Sequence, residues 1–264
     1  MFYKIVDIKF EAETKLLYIN NMFLVDGACP QNVFGIQESP AILTDNQQII
    51  HFEIPENMKH LILYNQSYLL ADKDWKQITI YKKSEEEAKI LLLQAFYTHA
   101  VQRHIIQLHS SLIDFQGKGI LFLGPSGIGK TTQAELWSKY RGAKIINGDI
   151  VFVQEKETEF LGWGSPWHGS SPYCENANVP VKALIVLKQA KGNSIRKLEG
   201  FEKVKEVSGN VFYPQWLENG IELCLKTLDH LLSGTDVYEL SCLPDEDAVN
   251  LLEQVVFCND AKKD

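Results

Sequence analysis

The chain has 264 residues, 45% of them apolar and 23% charged, the balance of an ordinary globular protein, which excludes a fibrous repeat and a wholly disordered chain. Its 26 basic and 34 acidic residues give a formal charge of -8, with Arg103, Arg141 and Arg196 the only arginines. A nucleic-acid partner, which needs a basic footprint, is therefore not expected.

The N-terminal residues Met1 to Lys9 alternate like a strand and lack the apolar block of a signal peptide, and no apolar run approaches a membrane span. The chain is expected to be cytoplasmic, without a membrane partner. Residues 1–83 are short runs of Ile, Leu, Val, Phe and Tyr broken at Asp26-Gly27, Cys29-Pro30 and Glu56-Asn57. That pattern predicts a small, mostly antiparallel β domain, or extra strands on one continuous domain, since no flexible linker marks a joint. Ser84 and Glu87 form a capping box, and Ala88, Leu91, Leu92, Ala95 and His99 follow at helical spacing. The boundary is placed near Lys83, dividing the chain into residues 1–83 and 84–264.

Next come two strands, Gln107 to Asp114 and Gly119 to Leu123, joined by a turn at Gly117. Thr131 to Tyr140 reads as a helix; Lys144 to Ile146, Ile150 to Gln154 and Val181 to Leu187 read as strands. One closing helix spans Ile221 to Leu232 and ends at Gly234; another opens at Pro244 and runs through Ala248, Leu251, Leu252 and Val255. This alternation of strands and helices predicts an α/β core. Between the strands, Gly162 to Ser171 is too rich in turn residues for a strand; its Trp163, Trp167 and His168 either cover a site or anchor an ordinary loop. Cys29, Cys174, Cys224, Cys242 and Cys258 are scattered, odd in number and never in a C-x-x-C pair. Neither a disulfide framework nor a zinc site is expected, and Cys174 and Cys242 read as small buried hydrophobes.

Gly124-Pro-Ser-Gly-Ile-Gly-Lys-Thr131 fits G-x-x-x-x-G-K-[ST] at every fixed position, with a strand before it and a helix after it. Gly127 and Gly129 let successive N–H groups turn into one concavity, and Ser126 and Ile128 complete the loop. A phosphate then meets the positive end of the following helix. Lys130 is expected at the β- and γ-phosphates and the Thr131 hydroxyl at Mg²⁺. Thr132 is either part of the cradle or simply the first helical residue. A metal held beside phosphates needs a carboxylate, and Asp149, between Gly148 and the apolar run Ile150 to Val153, is the candidate. Taken alone it also reads as a turn former. His109, alone, reads as a core histidine, Glu135 as a residue behind the site, and Arg196 as an exposed arginine or a phosphate partner.

From His109 onward the chain resembles the kinase domain of bacterial HPr kinase/phosphorylase, a group allied to phosphoenolpyruvate carboxykinase. The residues carrying the likeness are His109-Ser-Ser-Leu-Ile-Asp-Phe-Gln-Gly-Lys-Gly-Ile-Leu-Phe-Leu-Gly124. Glu135 to Gly142, Asn147-Gly-Asp149, Gly164 to Gly169 and Leu240 to Glu246 are similar to short HPr-kinase-like proteins of peptide-modification clusters, including lasso-peptide kinases. The likeness covers about residues 88 to 256 and leaves residues 1–83 without a family. It implies an HPr kinase C-terminal or carboxykinase-like P-loop core with a small β-rich domain before it. It also implies ATP or another phosphoryl donor on Gly124 to Thr131, Asp149 at the metal and the acceptor, and His109 orienting that carboxylate or the transferring group. HPr kinases usually carry two consecutive aspartates here, where this chain has Gly148 before Asp149. Either Asp149 combines both roles, or the base is weaker or lies elsewhere.

The function expected is an ATP- and Mg²⁺-dependent kinase acting on a hydroxyl, most simply a serine of a peptide or small protein recognised through residues 1–83. The alternatives are a non-catalytic nucleotide-binding partner of a peptide-modifying enzyme and a carboxykinase-like metabolic enzyme, the latter disfavoured by so few arginines. An oligomer is compatible with the sequence.

Overall fold

The computed structural model describes residues 1–27, 31–41 and 54–257; Cys29, Cys258 and the Cys29-Pro30 turn lie outside them. The chain divides into two compact units, Met1–Arg103 with Pro214–Gly220, and His104–Tyr213 with Ile221–Asp264.

The first unit carries β1 (Phe2–Ile5), β2 (Ile8–Ala12), β3 (Leu24–Val25), β4 (Phe34–Pro40), β5 (Met58–Tyr64), β6 (Ser67–Asp72), β7 (Gln77–Lys82) and α1 (Glu85–Val101). Among the described residues the strands form one seven-stranded sheet in the order β3-β1-β2-β4-β7-β6-β5. Pairing is mostly antiparallel, as expected, but β4 lies parallel to both β2 and β7. Helix α1 starts as the sequence indicates, with the Ser84 hydroxyl accepting from the Glu87 N–H at 3.2 Å.

The helix packs with the strands before it, against β5, β6 and β7. His99 stacks on Phe34 at 4.6 Å and bonds the Trp75 carbonyl at 2.8 Å. Trp216, from the returning segment, donates to Thr98 Oγ1 at 2.8 Å. The division therefore falls after Arg103, later than the boundary near Lys83 that the change of pattern suggested. Local periodicity marks where a helix begins and not which sheet it covers.

The second unit carries β8 (Ile105–Phe115), β9 (Lys118–Leu123), α2 (Lys130–Arg141), β10 (Lys144–Asn147), β11 (Ile150–Glu155), β12 (Phe160–Trp163), β13 (Asn178–Gln189), β14 (Ser194–Lys197), α3 (Gly200–Ser208), β15 (Val211–Phe212), α4 (Gly220–Gly234), β16 (Asp236–Cys242) and α5 (Glu246–Val256). Among the described residues the long strand β8 serves four neighbours: its first half pairs with β11 and β15, and its second half pairs with β9 and β10. Strand β9 runs parallel to β13, which runs parallel to β16, so three carboxyl ends share one edge. Ile120, Phe122, Ile185 and Leu240 from these strands pack with Trp137 of α2 and Val249 and Leu252 of α5.

Strand β12 is a correction to the sequence expectation, because Gly162 and Trp163 belong to it and pair with β11 and β13. A side chain at 162 would meet Leu112 at 3.1 Å, so this glycine serves close packing, where composition suggested a turn. Strand β16 and helix α3 were not expected. Helix α5 is capped by Asp245, whose carboxylate accepts from the Ala248 N–H at 3.0 Å.

Candidate active site

The β8–β9 register pairs Ser110 with Leu123, which brings His109 beside the loop that begins at Gly124. The β8–β11 register pairs His109 with Ile150, and the Ser110 N–H bonds the Asp149 carbonyl at 2.9 Å. Two strand registers thus deliver His109 and Asp149 to one spot, where His109 Nε2 stands 3.1 Å from Asp149 Oδ1.

The loop between β9 and α2 turns as its glycines foretold, with φ of +78° at Gly127 and +113° at Gly129, a region open to residues without a Cβ. No side chain caps the N-terminus of α2, so its first N–H groups and the positive end of its dipole are left for an anion. The Lys130 ammonium bonds the Gly124 and Pro125 carbonyls at 3.0 and 3.2 Å. Burial lowers its pKa, and Asp149 partly offsets that. Thr131 Oγ1 donates to the Gly148 carbonyl at 3.2 Å, linking the start of α2 to the residue before Asp149.

These groups border one cavity of about 410 Å³, lined by His109, Ser126, Gly127, Gly129, Lys130, Thr131, Thr132, Gly148, Asp149, Ser170 and Ser171. Of the residues expected to serve catalysis, phosphate or metal, Gly124 and Ile128 do not line it. The Gly124 N–H is occupied by Asn210 Oδ1 at 2.9 Å.

Asp149 is aimed by Asn147, whose Oδ1 accepts from the N–H groups of Asp149 and Ile150 at 2.8 and 3.0 Å. The Asn147 amide also donates to the Ser165 carbonyl at 2.9 Å, and Ser165 Oγ donates to the Ile150 carbonyl at 2.7 Å. The segment Gly164 to Ser171 is therefore anchored, and its end borders the cavity. Trp163 and Trp167 are buried, while Ser170 and Ser171 reach the cavity. His168 does not line it and holds the Ser171 carbonyl.

Three contributors were not legible in the sequence. Asn210, besides fixing Gly124, accepts from the His109 N–H through its carbonyl at 2.8 Å, so one buried residue positions both the loop and the histidine. Ser170 and Ser171 come from a segment noticed for its tryptophans. Nothing local in the sequence distinguishes Asn210 from a turn former.

Other candidates are resolved by their partners. Arg196 pairs with Glu202 and Glu239 at 2.6 and 2.9 Å and does not line the cavity. Glu135 accepts from the Tyr173 hydroxyl at 3.1 Å. Burial pushes the Cys242 thiol up to about 11, so it is not a ready nucleophile at neutral pH.

Among the described residues, no group of three or more His, Cys, Asp or Glu is arranged to hold a metal ion, and no helix is long and apolar enough to cross a membrane. One carboxylate and one hydroxyl beside a phosphate cradle fit Mg²⁺, which keeps several waters and is commonly bound through one or two carboxylates plus substrate phosphates.

No family model matches the chain. The HPr kinase/phosphorylase of Mycoplasmopsis pulmonis is 29% identical over 115 residues, covering 44% of this chain and 34% of that protein. That of Clostridium tetani is 31% identical over 110 residues, covering 42% and 32%. That of Streptococcus agalactiae is 30% identical over 206 residues, covering 78% and 56%. The chain thus spans about a third to just over half the length of these relatives. Among solved structures, the Hpr(Ser) kinase/phosphatase from Coxiella burnetii aligns with 60% of this chain and 97% of its own, at 13% identity and a TM-score of 0.34. Over this part of their length the chain is thus similar to the HPr kinase/phosphorylases, on a mixed α/β architecture.

Proposed function

We propose that the protein is a phosphotransferase that moves a phosphoryl group from ATP, with Mg²⁺, to a hydroxyl, most simply a serine of a peptide or small protein. The observation that carries this is the single cavity in which the uncapped start of α2, Lys130 and Thr131 face the Asp149–His109 pair. Bound Mg²⁺ would supply charge neutralisation on the phosphates. Lys130 and the loop N–H groups hold the donor's phosphates. Asp149 accepts the proton of the acceptor hydroxyl as its oxygen forms the new bond to phosphorus and the bond to the ADP leaving group breaks. His109 keeps the carboxylate oriented.

The carboxykinase-like alternative finds little support. Arg103 bonds the His99 carbonyl at 2.8 Å, Arg141 pairs with Glu253, and Arg196 with Glu202 and Glu239. None of the three lines the cavity to receive a substrate carboxylate.

The test is transfer of labelled phosphate from ATP to serine-containing peptides and small proteins, with Asp149→Asn alongside. The variant is expected to lower turnover by roughly 10²–10⁴-fold with a much smaller change in nucleotide affinity. His109→Ala is expected to have the lesser effect. Tight binding without transfer to any acceptor would instead support a non-catalytic nucleotide-dependent partner.

A further inference from the structure

A second cavity of about 380 Å³ also borders the loop that follows β9. Gly127, Gly129 and Thr132 border both cavities, so a ligand with its phosphates in the first reaches the second without leaving the loop. The rest of the wall comes from the ends of β13 and β16 and the residues just after them, including Leu187, Ala190 and Leu243. Together with the loop after β9, this is the crevice outside the carboxyl ends of three parallel strands, where open α/β sheets place ligands. Its volume is within the range of small-molecule sites, and its wall, more apolar than polar despite Lys188 and Gln189, suits a flat ring more than a phosphate.

One polar side chain in this wall is incompletely satisfied. Gln133, on the first turn of α2, is 3% exposed. Its Nε2 donates to Cys242 Sγ at 3.3 Å, a weak acceptor, and its buried Oε1 has no partner. An unpaired buried carbonyl is costly and is relieved by a ligand that brings a donor.

Resting on the reading of the loop as a nucleotide site, we infer that this second cavity holds the donor's base and that Gln133 selects adenine over guanine. Adenine offers N6–H as donor beside N7 as acceptor, and a glutamine carboxamide matches both at once. On that same edge guanine offers O6 and N7, two acceptors, which leaves Gln133 Oε1 facing an oxygen, so the discrimination rests on the base turning its N7 edge to Gln133. Thr132 and Gln133 are adjacent, so one of the residues bordering both cavities and the residue reading the base are set by one turn of helix.

The experiment titrates the full chain by calorimetry with ADP, GDP and inorganic tripolyphosphate, each with Mg²⁺. The native protein is expected to bind ADP roughly tenfold tighter than GDP. Gln133→Met, which keeps the length and removes the polar atoms, is expected to abolish that preference and leave tripolyphosphate affinity unchanged. Leu243→Ser, at the exposed lip of the cavity, is expected to weaken ADP several-fold with tripolyphosphate again unchanged; it tests the cavity if the Gln133 variant does not fold. Equal affinity for ADP and GDP in the native protein, or a preference that survives in Gln133→Met, would overturn the inference while tripolyphosphate binding kept the phosphate loop intact. Loss of all three ligands would overturn the loop reading and this inference with it.

Discussion

A Cβ at position 148 would stand 1.9 Å from Ser171 Oγ and 2.5 Å from Ser171 Cβ. The glycine preceding Asp149 is therefore imposed by the segment that borders the cavity, and a second carboxylate has no room there unless Ser171 moves. Gly148→Ala is expected to destabilise the fold by about 1–3 kcal/mol and to lower phosphoryl transfer by displacing Ser171. Ser171→Gly in the same chain should restore most of both, as read by chemical denaturation and turnover of the two single variants and the double; additive losses would show that no clash links the two positions. Lys130 poses the opposite case. Its ammonium bonds the Gly124 and Pro125 carbonyls and takes no part in the apolar core. Lys130→Ala is expected to reduce ATP affinity by more than tenfold, measured by calorimetry, while circular dichroism and the unfolding midpoint remain near native; unchanged affinity would remove the phosphate-loop assignment.

Helix α1 shows what an element acquires from its neighbours. From Ala88 to Val101 it is buried nearly all round, and His99 is buried with it. Burial is the main reason the His99 pKa is lowered to about 4 from 6.5, so the ring is neutral in the folded chain and bonds the Trp75 carbonyl through Nε2. Below pH 6.5 the unfolded chain takes up a proton that the folded chain refuses. Stability is thus full above that value and falls as the pH drops toward about 4, by on the order of 3 kcal/mol in all. Denaturation midpoints across that range should show the slope, and His99→Gln should flatten it. A slope of equal size in the variant would assign it to other groups.

Across the whole molecule, ligand binding reports which unit carries the proposed site, since each residue of the cavity beside Gly124–Thr131 lies in the second unit. Nucleotide at a hundredfold over its dissociation constant should stabilise that unit by roughly 2.7 kcal/mol. Hydrogen exchange in β8, β9 and β13 should slow about a hundredfold where it proceeds through global opening. Absence of protection there, with ATP and Mg²⁺ bound, would place the nucleotide elsewhere.

Much of the second unit could be read along the chain because its signals are local. The loop from Gly124 to Thr131 is one turn and the start of one helix, so its residue types and their spacing carry its geometry directly. The same is true of Ser84 at the start of α1. His109 and Asp149 could be named, but their meeting at 3.1 Å depends on two strand registers. Asn210 holds the loop's first glycine from 86 positions away, a distance over which no periodicity survives. Gln133 reads as one more helical residue until the carboxyl ends of β13 and β16 close a cavity around it. The segment Pro214–Gly220 joins the first unit across more than a hundred residues of the second. Spacing within a turn or a helix is covalent and legible, whereas strand register, long-range packing and the choice of which sheet a helix covers arise from the burial of side chains that the whole chain supplies.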